Sequence, residues 1–93
     1  MPVRIRIPAA LRAPAGGAPH VEVDARSVDE ALARLVDRHG GLREHLFDAA
    51  GSLREHVNVY VNARDVRELS RGATPVADGD VVLLLPSVAG GAR

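Results

Sequence analysis

A chain of 93 residues is long enough for one modest core and too short for two domains. Twelve basic residues balance twelve acidic ones, which argues against a nucleic-acid partner held by net charge and favours a protein partner. Every basic residue is an arginine and cysteine is absent. That excludes Schiff-base chemistry, a P-loop lysine, disulfides, thiolate nucleophiles, cysteine metal sites and any lysine to which a modifier could attach.

Apolar residues make up 46% of the chain, yet Phe47 and Tyr60 are its only aromatics, so the core must be built from Val, Leu, Ile and Ala, a mixture suited to a sheet covered by a helix. No long apolar segment follows Met1 and nothing approaches a membrane span, which predicts a cytoplasmic protein.

Val3, Ile5 and Ile7 alternate with Arg4 and Arg6, the pattern of a half-buried strand that Pro8 ends. Residues 9–19, rich in Pro, Gly and Ala, read as a loop leading to a second strand over 20–23, paired with the first as an antiparallel hairpin. Ser27-Val28-Asp29-Glu30 is a capping box, with the Ser27 hydroxyl on the amide three residues on and Glu30 reaching back to the Ser27 amide. The helix it starts carries Val28, Ala31, Leu32, Leu35 and Val36 on one stripe, with Asp29, Arg34, Asp37 and Arg38 facing water. Gly40-Gly41 is expected to cap its C-terminus. A single further turn then plugs the sheet with Leu42, Leu46 and Phe47.

Over residues 56–62 the period returns to two, with Val57, Val59 and Val61 on one face and Asn58, Tyr60 and Asn62 on the other, which predicts a central strand. Residues 62–65 make a turn into a short strand or edge near Val66, and Leu69 is expected to add to the core. Ala77-Asp78-Gly79-Asp80 is a second turn, its Asp-Gly pair expected at positive φ. The run Val81 to Leu85 is apolar throughout, as expected for a strand flanked on both sides within the sheet, and Pro86 stops it.

This order of strand, strand, helix, strand, short strand and strand predicts an α+β, ubiquitin-like β-grasp fold. Its mixed sheet has four to five strands, with one main helix packed across one face. Residues 1–85 form the domain and residues 86–93 a flexible C-terminal tail. Extended, Pro86 to Gly91 reaches roughly 20 Å at about 3.3 Å per residue. Gly90-Gly91 carries no Cβ, so it can enter a narrow channel and leaves the Gly91 carbonyl open to attack from either side. The chain end is therefore the expected reactive part.

These stretches resemble the ubiquitin-like sulfur carriers of the ThiS and MoaD group, and within it the carriers of cysteine biosynthesis. The likeness covers nearly the whole chain. It rests on Ile7-Pro8-Ala9-Ala10-Leu11-Arg12, Val57-Asn58-Val59-Tyr60-Val61-Asn62, Ala77-Asp78-Gly79-Asp80 and Leu85-Pro86-Ser87-Val88-Ala89-Gly90-Gly91.

The resemblance implies that an ATP-using, E1-like adenylyltransferase/sulfurtransferase converts the Gly91 carboxylate to an acyl-adenylate and then to a thiocarboxylate. Gly90, Ala89 and Val88 are then the tail that partners recognise. The carrier itself binds no cofactor; ATP is used by the activating partner. Sulfur then passes to a synthase such as a PLP-dependent cysteine synthase. Ala92-Arg93 follow Gly91, so Gly91 carries a peptide bond, and the resemblance implies trimming between Gly91 and Ala92 by a JAMM-type metalloprotease.

Other constellations are weaker. His20, His39, His45 and His56 fall on different predicted elements without ligand spacing, so no metal site is expected. Arg4 and Arg6, with Arg64, Arg67 and Arg71 nearby in sequence order, form either a docking patch for an acidic partner or ordinary solvated charge. Tyr60 either anchors a partner on the open sheet face or reflects strand propensity alone. Two alternative functions share the pattern: the small subunit of molybdopterin synthase, and a non-conjugating β-grasp interaction module. An enzyme in its own right is not expected, because there is no glycine-rich phosphate loop and no carboxylate pair in an evident cleft.

Overall fold

The computed structural model describes residues 2–55 and 57–86. The elements run β1 (Val3–Arg6), β2 (His20–Val23), α1 (Val28–Arg38), α2 (Arg43–Leu46), β3 (Val57–Val61), β4 (Arg64–Asp65) and β5 (Val81–Pro86), with 3₁₀ turns at Ala9–Leu11, Gly40–Leu42, Val66–Glu68 and Arg71–Ala73. The five strands form one sheet in the order β2-β1-β5-β3-β4. β1 pairs antiparallel with β2 and parallel with β5, while β5 pairs antiparallel with β3. This is the expected β-grasp architecture. β3, expected to be central, lies one strand from the edge, flanked on its outer side by the two-residue β4 at Tyr60 and Val61.

Val3, Ile5, Val57, Val59, Val82 and Leu84 all point to one sheet face and are at most 1% exposed. The predicted stripe of α1, Val28, Ala31, Leu32, Leu35 and Val36, meets them and is buried in full. Alternation in the strands and a 3.6-residue period in the helix thus specify the same interface. Leu42 and Leu46 close one end of the core and Phe47 packs against it half-buried. The loop 9–19 contributes more than sequence suggested, since Leu11 and Ala15 are buried.

The start of α1 is tied down twice. The Glu30 N–H donates to Ser27 Oγ at 3.2 Å, as the capping box requires. The Glu30 carboxylate, however, accepts from the Arg26 N–H at 2.7 Å and not from the Ser27 amide. The reason is tertiary: Val28 N–H donates to the Thr74 carbonyl and Val76 N–H to the Arg26 carbonyl, both at 3.0 Å. Pinning residues 26–28 to 74–76 presents the Arg26 amide to the carboxylate.

Gly40-Gly41 does not form the expected left-handed cap. The helix ends through His39 at φ −128°, and the glycine pair enters the following 3₁₀ turn with neither at positive φ. Gly41 instead packs closely on the loop, since a Cβ there would lie 3.3 Å from the Pro14 carbonyl oxygen, a tight contact.

Two turns organise the far end of the sheet. Asn62 (φ 49°) and Ala63 (φ 74°) make a two-residue hairpin turn of the primed kind between β3 and β4. In the second turn only Gly79 (φ 88°) takes positive φ, so the expectation for the Asp-Gly pair holds for the glycine alone. Leu69, expected to add to the core, is half-exposed and outside it.

Candidate functional site

β5 is the central strand and its apolar run carries the site. Val82 and Leu84 point into the core, but Val81, Leu83 and Leu85 point to the opposite face, which no element covers among the described residues. Leu85, at 39%, is the one large hydrophobic residue that is exposed among them. As expected, the strand is flanked on both sides in the plane of the sheet, by β1 and β3, while only one of its faces is covered.

Strand register assembles the open face in rows. Arg6, Leu83 and Tyr60 lie side by side on β1, β5 and β3; Arg4 lies beside Val81, and Asn58 beside Leu85. Tyr60 and Leu83 are half-buried and Leu85 exposed, so an apolar strip runs along β5 towards Pro86 with Arg4 and Arg6 on its β1 flank. Arg4 Nη2 pairs with Glu22 Oε2 at 3.2 Å, a half-exposed contact worth little in stability. Arg6 makes no ion pair among the described residues. Thus Arg4, Arg6 and Tyr60 do share one face. Leu83 and Leu85 join them, and sequence reasoning passed over both. Sequence carries no signal for them, because Val81 to Leu85 is apolar at every position and shows no alternation.

Pro86 lies opposite Val57, at the end of β5. The apolar strip therefore leads to Pro86, the last of the described residues. The residues assigned to tail recognition, adenylation and processing (Val88, Ala89, Gly90, Gly91 and Ala92) lie outside the described residues, as does His56.

Arg67 and Arg71 do not join Arg4 and Arg6. They line a groove of about 540 Å³ on the helix side of the sheet, with Arg54 and the apolar Val28, Leu32 and Leu53. Arg67 Nη2 donates to the Glu55 carbonyl at 3.0 Å and Arg54 Nε to the Glu44 carbonyl at 2.8 Å, so both guanidinium groups are held by backbone oxygens. Arg64 is exposed on β4. His20, His39 and His45 sit on β2, at the end of α1 and on α2. No group of three or more potential metal ligands occurs among the described residues. No helix among them is long and apolar enough to cross a membrane.

At the sheet end remote from Pro86, Asn62 Nδ2 donates to Asp80 Oδ1 at 3.0 Å and the Ala77 N–H to Asp80 Oδ2 at 2.8 Å. These two donors, the Asn62 amide first, hold the Asp80 carboxyl below the usual carboxylate value against a small opposing effect of burial. Asn62 Oδ1 accepts in turn from the Val81 N–H at 3.0 Å, which locks the start of β5 to the hairpin turn. This cluster is structural and lies away from the tail root.

Known proteins resemble the chain along its full length. It is 40% identical over 93 residues, 98% of this chain and all of the relative, to the sulfur carrier protein CysO of Mycobacterium tuberculosis. It is 40% identical over 68 residues, 73% of each chain, to small archaeal modifier protein 3 of Haloferax volcanii. Among solved structures, CysO in the Amycolatopsis orientalis BexX/CysO complex superposes with a TM-score of 0.86 at 38% identity, covering 96% of this chain and 99% of that one. These relatives are named as carriers or modifiers, not as enzymes. With the β-grasp topology in place and a match to the ThiS family running from residue 5 to residue 91, the chain belongs to that family.

Proposed function

We propose that this chain is a sulfur carrier whose Gly91, exposed by removal of Ala92-Arg93, is adenylated and converted to a thiocarboxylate that donates sulfur in cysteine biosynthesis. A carboxylate is a poor electrophile, and adenylation supplies a leaving group. Sulfide or a persulfide then displaces AMP, leaving a nucleophilic thiocarboxylate. The carrier needs no acid, base or metal of its own for this; it contributes an address and a leash. ATP belongs to the activating partner.

The observation that carries this reading is the placement of the tail root. The central strand bears an apolar strip on the open face and ends, at Pro86, beside that strip. A partner that grips Leu83, Leu85 and Tyr60, with Arg4 and Arg6 available for its acidic groups, receives the tail in its active site as a consequence of geometry. The partners are an E1-like adenylyltransferase/sulfurtransferase, a PLP-dependent cysteine synthase as sulfur acceptor, and a JAMM-type metalloprotease that trims the chain. The cysteine pathway is favoured over a pterin acceptor by the full-length likeness to proteins named CysO.

ATP–pyrophosphate exchange with the trimmed carrier and the activating enzyme of the native host tests this. Exchange is expected for the wild type, to be lost in Gly91→Ala, and to require higher carrier concentration in Leu85→Asp. Undiminished exchange with Gly91→Ala would refute the assignment of Gly91.

A further inference from the structure

β2 forms one edge of the sheet, and two bonds made by β1 show which of its backbone groups turn outward. Arg4 N–H donates to the Asp80 carbonyl at 3.0 Å, on the β5 side, whereas Ile7 N–H donates to the Pro19 carbonyl at 2.8 Å, towards β2. Arg4 and Glu22 are therefore a non-hydrogen-bonded pair of the β1–β2 ladder, and so are Arg6 and His20. It follows that the N–H and C=O of both His20 and Glu22 point away from β1, in the plane of the sheet. Outward groups of this kind template the addition of another strand. One of them is already taken: Arg38, the last residue of α1, donates from Nη1 to the Glu22 carbonyl at 2.8 Å. Arg38 makes no ion pair among the described residues, so its guanidinium is committed to the strand edge and not to a carboxylate.

The edge is also self-complementary. When a second β2 is laid antiparallel with Val21 opposite Val21, His20 of each copy lies opposite Glu22 of the other, and each such pair can exchange both backbone bonds. On the open face the same register sets an imidazole beside a carboxylate, a favourable cross-strand pair. Pro19 does not interfere, because its missing N–H would face β1, where only its carbonyl is used. We propose that Arg38 is a gatekeeper of this edge: by occupying the Glu22 carbonyl it keeps β2 from joining β2 of a second copy in one continuous sheet. A dimer in this register has to give up the Arg38 bond in both copies, so the two-fold doubles the cost of pairing.

The ladder is short, so self-association falls in the millimolar range, where amide chemical shifts of the full chain followed over about 0.05–2 mM read it. Arg38→Ala is expected to self-associate at least about tenfold more tightly than wild type, since two bonds to a charged donor no longer have to be broken. The shifts are expected at His20 and Glu22, whose amides also gain protection from hydrogen exchange as concentration rises. Arg34→Ala removes an equal charge one turn earlier on α1, where Arg34 pairs with Glu30 at 3.6 Å, and is expected to behave as wild type. Circular dichroism confirms that each variant is folded. Absence of concentration-dependent shifts in Arg38→Ala, shifts confined to residues outside β2, or equal association in Arg34→Ala would overturn the inference.

Discussion

Truncating two adjacent leucines of β5, Leu84→Ala and Leu85→Ala, separates the core face of the sheet from its open face. Leu84 is fully buried opposite Val59, so its loss removes apolar contact and leaves a cavity, at a cost of about 3 kcal/mol within the usual range of about 2–5 for such sites. Leu85, 39% exposed on the uncovered face, gives up only part of a burial worth about 1.5–3 kcal/mol and leaves no cavity, so its loss costs less than about 1 kcal/mol. For a domain with total stability of about 5–15 kcal/mol, the first change is severe and the second mild. Urea unfolding followed by far-ultraviolet circular dichroism reads both. With a slope near 1.5 kcal/mol/M, the midpoint falls by about 2 M for Leu84→Ala and by less than about 0.7 M for Leu85→Ala. Equal shifts would show that the open face is not open, and would remove the apolar strip on which the partner surface is built.

Ala63 sits at φ 74°, a conformation that costs a residue with a Cβ about 1–2 kcal/mol. Allowing for the extra entropy of an unfolded glycine, Ala63→Gly is expected to raise stability by about 0.5–1 kcal/mol in the same urea assay, and no gain would contradict the primed turn. Ser27→Ala removes the acceptor of the Glu30 N–H and is expected to cost about 1 kcal/mol, read as a fall in thermal midpoint. Asp80 governs part of the acid limb. Its folded carboxyl lies below the unfolded value of about 3.9, so its stabilising contribution is complete above that value and is lost as pH falls through the folded one. Asp80→Asn is therefore expected to flatten the fall of stability with acidification below pH 4, and an unchanged acid limb would remove Asp80 from the account.

Elements whose local pattern and tertiary role agree were legible from sequence. The alternation of Val57, Val59 and Val61 and the α1 stripe each appear as read, because in both cases one face has only the core to meet. Failures occurred where a tertiary contact overrode a local signal. The glycine pair after α1 looked like a helix cap, but both glycines enter the next 3₁₀ turn, where Gly41 packs closely on Pro14. The Glu30 carboxylate was expected on Ser27, but the bonds from residues 74–76 put Arg26 in its way. The run 81–85 lies between two strands as expected, but which face each of its side chains takes was not legible, because period-two alternation is invisible when every residue is apolar and composition alone does not reveal that a sheet has one uncovered face. The same blindness hid Leu83 and Leu85, whereas Arg4, Arg6 and Tyr60 stood out because they are not aliphatic. The separation of Arg67 and Arg71 from Arg4 and Arg6 depends on the sheet order, which sequence proximity does not encode.

Intact mass of the protein recovered from its native host, before and after ATP and a sulfide source are added to cell extract, tests the carrier role most directly. Loss of the mass of Ala92-Arg93, followed by exchange of one oxygen for sulfur at Gly91, is the expected result. Persistence of the full-length mass through both steps would contradict it and leave a β-grasp binding domain whose chain end takes no part in chemistry.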